Sequence, residues 1–440
     1  MSNFKKVIMV LTLLIGISSA IVVGSFLFMY KTGEITINFS KSKEDKILKE
    51  EELEIFSWWT GGGEAQGLEA LFEIFNQKNS DMEIINAAIS GGGGSSAKAV
   101  LKTRMLGGNP PDSFQVHGGS ELIDTYVRAG VMEPITNLIN ELGIKDKFKQ
   151  EILEMCSYQG EVYAIPLAVH RGNILWYNKS LLKKYNLKPP TNFSSFLSSL
   201  EELSKQGITP LSLGDKDRWP ATHIFESLLL STLGPKAYNG LWNGNTSFSN
   251  PKVKEALVRF NEILRYTNQD HAALSWQDSA RRLYEGKAVF NIMGDWEEGY
   301  FKALGWEADQ EFGWSNFPGT KGSFMVIVDS FGLPKEAANP ESTKSWLKVI
   351  ASREGQDVFN QIKGSIPSRI DVDKNKYDLY MKEAIDDFSN NILTPSIAHG
   401  SAAPENFMVA LDDVINEFVS ERNIERSFNN IQDIADKYLK

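Results

Sequence analysis

The stretch Leu53-Glu-Ile-Phe-Ser-Trp-Trp-Thr-Gly-Gly-Gly-Glu64 sets what this chain can fold into. An apolar run rich in β-formers ends in two tryptophans and three glycines, after which Leu68, Leu71, Phe72 and Phe75 recur at helix spacing. Such a strand–loop–helix unit carries bulky aromatics and a carboxylate to the carboxyl end of a strand. In open α/β sheets that end faces the crevice where ligands bind. The unit repeats, with strands expected over 53–58, 82–89 and 112–117 and helices over 67–78, 95–106 and 120–129. This alternation predicts an α/β fold of mostly parallel strands joined by crossover helices.

Other strand ends carry the same kind of cargo. Phe114-Gln-Val-His-Gly-Gly119 puts Gln115 and His117 two apart, hence on one side of a strand. Ala288-Val-Phe-Asn-Ile-Met-Gly-Asp-Trp296 delivers Asp295 and Trp296 into a turn, and Phe324–Val328 runs into Asp329. The loop Ser90-Gly-Gly-Gly-Gly-Ser-Ser96 fits an anion cradle or a close ligand approach, and it lacks the lysine of a P-loop. A hairpin is expected over 158–166 with its turn at Gln159-Gly160, and a capped helix over 191–206. No solenoid or propeller repeat is present in the sequence.

Charge narrows the ligand. The net charge is −10, with acidic and basic residues mixed along the chain, so no basic patch for nucleic acid is expected and a neutral ligand suits the balance. The single cysteine, Cys156, makes no intramolecular disulfide, no zinc cluster and no lipid attachment after the N-terminal apolar run. No cofactor or metal is expected. That run, Val7 to Tyr30 behind Lys5 and Lys6, is long enough to span a bilayer, for which about 20 residues suffice. Ser18 and Ala20 offer a cleavage pair, yet the apolar stretch continues beyond them. Export is expected, with residues 1–30 a signal peptide or, preferred here, an uncleaved anchor, and 31–52 a polar tether.

The sequence holds ten tryptophans, several at strand ends or loop starts: Trp58, Trp59, Trp219, Trp276 and Trp296. Aromatics fill cores everywhere, so any one of them is as readily core as site. Together they suit a pyranose, whose C–H faces call for aromatic plates and whose hydroxyls call for charged or amide groups at the rim. Glu64, Gln115, His117, Asp295, Asp329, Lys363 and His399 supply that rim. A glycosidase is the competing reading, because it needs only two carboxylates, about 5–5.5 Å or 6.5–9.5 Å apart. Asp295 with Asp329 or Glu64 would be that pair. Neither a Gly-x-Ser-x-Gly elbow nor a His-Glu-x-x-His run occurs in the sequence.

The chain resembles the family 1 extracellular solute-binding proteins of bacterial ABC importers, closest to the glucose/galactose-binding branch. The resemblance runs from Leu53 to the C-terminus. It rests on Glu54-Ile-Phe-Ser-Trp-Trp59, Lys102-Thr-Arg-Met-Leu-Gly-Gly108, Pro110-Pro-Asp-Ser-Phe-Gln-Val-His117 and Trp176-Tyr-Asn178. Asn291-Ile-Met-Gly-Asp-Trp296, Asp329-Ser-Phe-Gly-Leu-Pro334, Glu354-Gly-Gln-Asp357 and Lys363-Gly-Ser-Ile366 complete it. It implies a periplasmic-binding-protein fold of two α/β lobes, 53–168 plus 320–373 and 169–319 plus 374–440, with hinge crossings near Ala168, near Gly319 and around 370–377. It also implies that Trp58 and Trp59 stack on or flank a sugar, and that Glu64, Gln115, His117, Asp329, Lys363 and His399 bind hydroxyls. Trp276 and Trp296 would wall the second lobe, and His170 would sit at the crossing. His170-Arg-Gly-Asn173 departs from the group's usual His-Arg-Ser-Asn at Gly172, and Thr60-Gly-Gly-Gly63 is longer than usual before the acid. The implied function is capture of a neutral sugar, glucose or a similar hexose first and a glucoside or disaccharide second. A monomer outside the cytoplasmic membrane would deliver it to ABC permease subunits and their ATPase, with no catalysis.

Overall fold

The computed structural model describes residues 52–439, so the expected leader or anchor and nearly all of the tether lie outside the described residues. Among the described residues no helix is long and apolar enough to cross a membrane. The strands are β1 (Glu52–Phe56), β2 (Glu83–Asn86), β3 (Ser113–His117), β4 (Ser157–Tyr158), β5 (Glu161–Val162), β6 (Ala164–Arg171) and β7 (Ile174–Asn178). They continue with β8 (Thr209–Ser212), β9 (Ala288–Ile292), β10 (Phe312–Asn316), β11 (Ser323–Gly332), β12 (Ile366–Pro367) and β13 (Ile392–Pro395). The helices that matter for the site are α1 (Gly62–Lys78), α2 (Ser95–Leu106), α3 (Trp219–Leu233), α4 (Trp276–Tyr284) and α5 (Trp296–Ala303). To these are added α6 (Arg353–Lys363), α7 (Leu379–Asn390) and α8 (Glu405–Glu421).

Two sheets define two lobes. The larger runs β12-β6-β11-β3-β1-β2, with β13 also paired to β11, and the smaller runs β10-β7-β9-β8. The large sheet packs among α1, α6 and α7, whose apolar faces belong to the first core, and the small sheet packs among α3 and α8 in the second. Both lobes are as expected, but their sheets are mixed rather than mostly parallel. β1 pairs in parallel with β2 and β3, whereas β11 runs antiparallel to both β3 and β6. The reason is the connectivity: the chain leaves the first lobe along β6 and comes back along β11, so these two neighbours point in opposite directions. Every residue of β6 and β11 is buried, as strands covered on both faces require.

The passages between lobes follow from those strands. The chain passes from β6 to β7 at 172–173 and from β10 to β11 over 317–322. The third passage, expected around 370–377, falls instead at 396–404. β13 still pairs with β11 in the large sheet, and Tyr380, Met381, Ala384, Ile385 and Phe388 of α7 sit in the first core.

Local chemistry explains the boundaries. The hairpin turn has φ of 51° at Gln159 and 87° at Gly160, the left-handed pair that a two-residue turn between twisted strands requires. α1 begins five residues earlier than the apolar spacing suggests, so the glycine run is its first turn rather than a loop. A Cβ on Gly63 would lie 2.7 Å from the Ile362 carbonyl oxygen, so glycine lets α1 and α6 meet backbone to backbone. The segment expected as a plain helix over 120–129 is a π-helical stretch, Glu121–Val127.

Trp59 shows what the strand period does to neighbours. Trp58 and Trp59 leave β1 on opposite sides, and Trp59 packs into the first core at ring-centroid distances of 4.8 Å from Phe359 and 5.7 Å from Phe331. It is 1% exposed, so the expectation that it flanks a ligand gives way to a packing role. Trp59→Ala is expected to destabilise the fold by about 3–5 kcal/mol in denaturant titrations. An unchanged unfolding midpoint would remove Trp59 from the core.

Glu121 offers a second check. Its Oε2 accepts from Lys98 Nζ at 2.7 Å and lies 3.0 Å from His117 Nδ1. Burial pushes the Glu121 carboxyl up, but Lys98 and His117 outweigh it and hold it at about 2, against an ordinary value of 4.5. A folded-state pKa below the unfolded one contributes stability that is full above pH 4.5 and drains away as pH falls toward 2. Glu121→Gln is therefore expected to cost on the order of 3 kcal/mol at pH 7, with the gap to the parent closing across that acid window. A gap that stays constant with pH would show that the pairing leaves no trace in stability.

Candidate functional site

The site grows from the carboxyl ends of β1 and β3 and the middle of β11. Trp58 follows β1, and its backbone N–H donates to Gln115 Oε1 at 3.2 Å. Gln115 Nε2 in turn donates to Asp329 Oδ1 at 2.9 Å, so one amide fixes both the indole's backbone and the carboxylate. The Trp58 indole meets the His117 ring edge-on with centroids 5.0 Å apart. Over it closes the glycine loop: Gly94 has φ of 80°, and a Cβ there would lie 2.9 Å from Trp58 Cε3. The sequence's glycine run thus closes on an aromatic ring, where its composition suggested an anion cradle or a close ligand approach.

Charged groups converge on Asp329. Lys363, in the last turn of α6, places Nζ 2.9 Å from Glu64 Oε1 and 3.8 Å from Asp329 Oδ2. His170 of β6 places Nε2 3.0 Å from Asp329 Oδ2, and its Nδ1 is in a tight hydrogen bond with Asp295 Oδ1. Asp295 Oδ2 also accepts from the Arg171 N–H at 2.9 Å and from the Tyr380 hydroxyl at 3.2 Å. Burial alone would raise the Asp329 carboxyl, yet Lys363 and the imidazoles of His170 and His117 hold it well below the usual carboxylate range. Burial alone would lower His170, yet Asp295 and Asp329 raise it above an ordinary histidine. The arrangement favours a cation held between two carboxylates.

The opposite wall is aromatic. Trp219 opens α3 and Trp296 opens α5, with ring centroids 5.9 Å apart and planes at 70°. His399 lies against both, 5.0 Å from Trp219 and 4.9 Å from Trp296. Trp276, at the start of α4, packs edge-on against Tyr300. The indole N–H of Trp219 is buried with no hydrogen-bond partner among the described residues.

Between these walls lies a small cavity of about 30 Å³. From the first lobe it is lined by Trp58, Glu64, Gly93, His117, His170, Ile327, Asp329 and Lys363. Trp219, Trp276 and Trp296 close it from the second lobe, and His399 closes it from the third passage. Of the residues that the sequence nominates, Trp59, Gln115 and Asp295 do not line it. Gln115 and Asp295 stand one layer behind and hold Asp329 and His170 in place. Sequence reasoning does not select the lining residues Gly93 and Ile327, and it counts Trp219 among the tryptophans that suit a pyranose without giving it a place. Trp219 carried a signal, since it sits at a helix start just as Trp296 does.

Comparison with known proteins follows the geometry. Residues 60–357 match the model of the family described as bacterial extracellular solute-binding protein. An uncharacterized ABC transporter extracellular-binding protein of Pyrococcus horikoshii is 39% identical over 402 residues, covering 90% of each chain. A probable sugar-binding periplasmic protein of Mesorhizobium japonicum is 30% identical over 375 residues, covering 84% of this chain and 89% of its own. Among solved structures, the bacterial solute receptor AcbH, described as having an exclusive preference for β-D-galactopyranose, superposes with a TM-score of 0.79 at 17% identity. The match covers 89% of this chain and all of that one, and it shows the shared fold. A two-lobed fold closed over one cavity, a family match across most of the chain and a 39% identical relative agree: the chain belongs to the bacterial extracellular solute-binding protein family.

Proposed function

We propose that the protein captures one neutral sugar ring, glucose or a similar hexose, in the interlobe cavity and hands it unaltered to an ABC permease. The observation that carries this reading is the cavity's composition: four indoles contributed by both lobes, with a rim of charged and imidazole groups. A pyranose is apolar on its faces and polar around its edge, so it complements plates of tryptophan and a charged rim. At about 30 Å³ the cavity is far smaller than ligand pockets, roughly 300–1,000 Å³, so the lobes part to admit a ring. The relatives' descriptions as sugar-binding and galactopyranose-preferring proteins support the same class.

In this reading Glu64, His117, Asp329, Lys363 and His399 hydrogen-bond hydroxyls, Trp58 and Trp296 flank the ring, and the buried Trp219 N–H donates to the ligand. Contacts from both lobes to one ligand favour the closed arrangement over any other, which is how binding becomes a signal to a permease. In the glycosidase alternative Asp329 would not be the acid: a retaining or inverting glycosidase needs one carboxyl kept protonated, and Asp329 is held ionised by its neighbours. The N-terminal apolar segment suits a protein anchored on the outer face of the cytoplasmic membrane.

Calorimetric titration with D-glucose, followed by recovery of the sugar, is the direct test. Micromolar or tighter binding with the sugar intact is expected. Trp58→Ala and Asp329→Asn should each weaken binding about tenfold or more, on the order of 1.4 kcal/mol, with the circular dichroism melt retained. Tight binding of disaccharides but not of glucose would change the ligand, and turnover of a glucoside would overturn the reading.

A further inference from the structure

Behind His399 lies a cluster that does not line the cavity. Glu226, fully buried in α3, accepts from the Ser396 hydroxyl at 2.9 Å and from the backbone N–H groups of Ile397 at 2.7 Å and Ala398 at 3.2 Å. This cradle fixes the turn that leads into His399. His223, one turn earlier on α3, places Nδ1 3.3 Å from Glu226 Oε1 and 3.2 Å from His399 Nε2. Its other nitrogen, Nε2, is buried with no partner among the described residues.

That orphan decides where the protons are. A buried N–H without an acceptor is costlier and rarer than a buried acceptor without a donor, so the proton of a neutral His223 belongs on Nδ1. There it donates into the space shared by Glu226 Oε1 and His399 Nε2. His399 is kept neutral, first by its burial and then by His223, His117, Lys98 and His170 around it. A neutral imidazole has one donor and one acceptor. With Nε2 accepting from His223, the proton of His399 sits on Nδ1, which has no hydrogen-bond partner among the described residues. The three side chains also lie close enough together to hold a metal ion. Coordination through His223 Nδ1 would push that ring's proton to Nε2, where no acceptor waits, so the hydrogen-bonded relay fits the cluster better.

We propose that Glu226 and His223 are positioning residues that set His399 as an Nδ1–H donor, so that the cavity demands an acceptor oxygen on the ligand at that point. The ligand half of this inference rests on the sugar reading of the cavity; the tautomer half does not.

Nitrogen-15 spectra of the histidines in the ligand-free protein test the tautomer. His399 is expected to show a protonated Nδ1 and a bare Nε2. His223→Asn keeps an amide N–H where Nδ1 stood and should preserve that pattern, whereas His223→Leu removes the donor and should mix the two tautomers. Glucose affinity should follow, falling about tenfold or more in His223→Leu and only a few-fold in His223→Asn. Among single deoxy sugars, the one that lacks the oxygen facing His399 should be penalised in the parent and much less so in His223→Leu. A parent His399 protonated on Nε2, equal losses in the two variants, or a stoichiometric transition metal in the purified protein would each overturn the proposal. If glucose fails to bind at all, the spectra of the unliganded parent still decide the tautomer.

Discussion

The arrangement at the cleft depends on one imidazole, His170, held between Asp295 and Asp329. Asp329 belongs to β11 of the large sheet, and Asp295 to the turn between β9 and α5 on the side of the small sheet. The ring therefore joins the lobes from within. Buried ion pairs repay little more than the desolvation they cost, so their value lies in specifying one arrangement. Here the arrangement is locked further by reciprocal backbone bonds. The Arg171 N–H donates to the Asp295 carboxylate, and the Asp295 N–H donates to the Arg171 carbonyl oxygen. Since β6 leads directly into the first passage between lobes, these bonds hold a pivot rather than the lips of the cleft.

Away from the pivot, closure is a matter of backbone approach. A Cβ on Gly299 of α5 would lie 2.2 Å from the Lys363 carbonyl oxygen, and a Cβ on Gly63 of α1 would lie 3.2 Å from the Gly299 carbonyl oxygen. Three helices therefore meet backbone to backbone at Gly63 and Gly299. That contact brings Lys363 and Glu64 to one edge of the cavity and Trp296 to the other. Glycine costs helix stability, roughly 0.5–1 kcal/mol relative to alanine in an interior. That cost is accepted at two helical positions because any side chain there would keep the lobes apart.

Much of this was legible in the sequence, and what was not has identifiable causes. The strand ends bearing Trp58, His117 and Trp296 announced themselves because a β-rich run followed by glycine is a local signal, whereas Asp329, expected at a strand end, lies within β11. Trp58 and Trp59 look equivalent in sequence, and strand alternation says only that they part company. Which of them faces the core is decided by Phe331 and Phe359, more than 250 residues away. Gln115 and Asp295 were correctly singled out as polar groups at strand ends, but sequence carries no depth, and both stand one layer behind the cavity. Trp219 stood out with the other tryptophans but received no role, because α3 is buried almost all round and no apolar stripe separated its cavity-facing residue from its core residues. The third passage was misjudged because β13 is four residues long and ends in proline, too short a strand to stand out from the helices on either side.

The electrostatics of the cavity bear on what such a site can hold. Asp329, Lys363, Glu64, His170 and Asp295 are already paired with one another, so no charge waits for a ligand to neutralise it. A charged ligand would have to break one of these pairs and leave a buried partner exposed to the full cost of desolvation. A neutral hydroxyl need break none: it donates to a carboxylate lone pair or accepts from an ammonium hydrogen that the existing pair leaves spare. The same pairing pins the protonation of Asp329. General acid catalysis needs a group poised to give up a proton near the working pH, and a carboxylate fixed in its ionised form beside a lysine and two imidazoles is not poised. The pairing that leaves no charge free for a ligand is therefore also the feature that keeps Asp329 from acting as an acid.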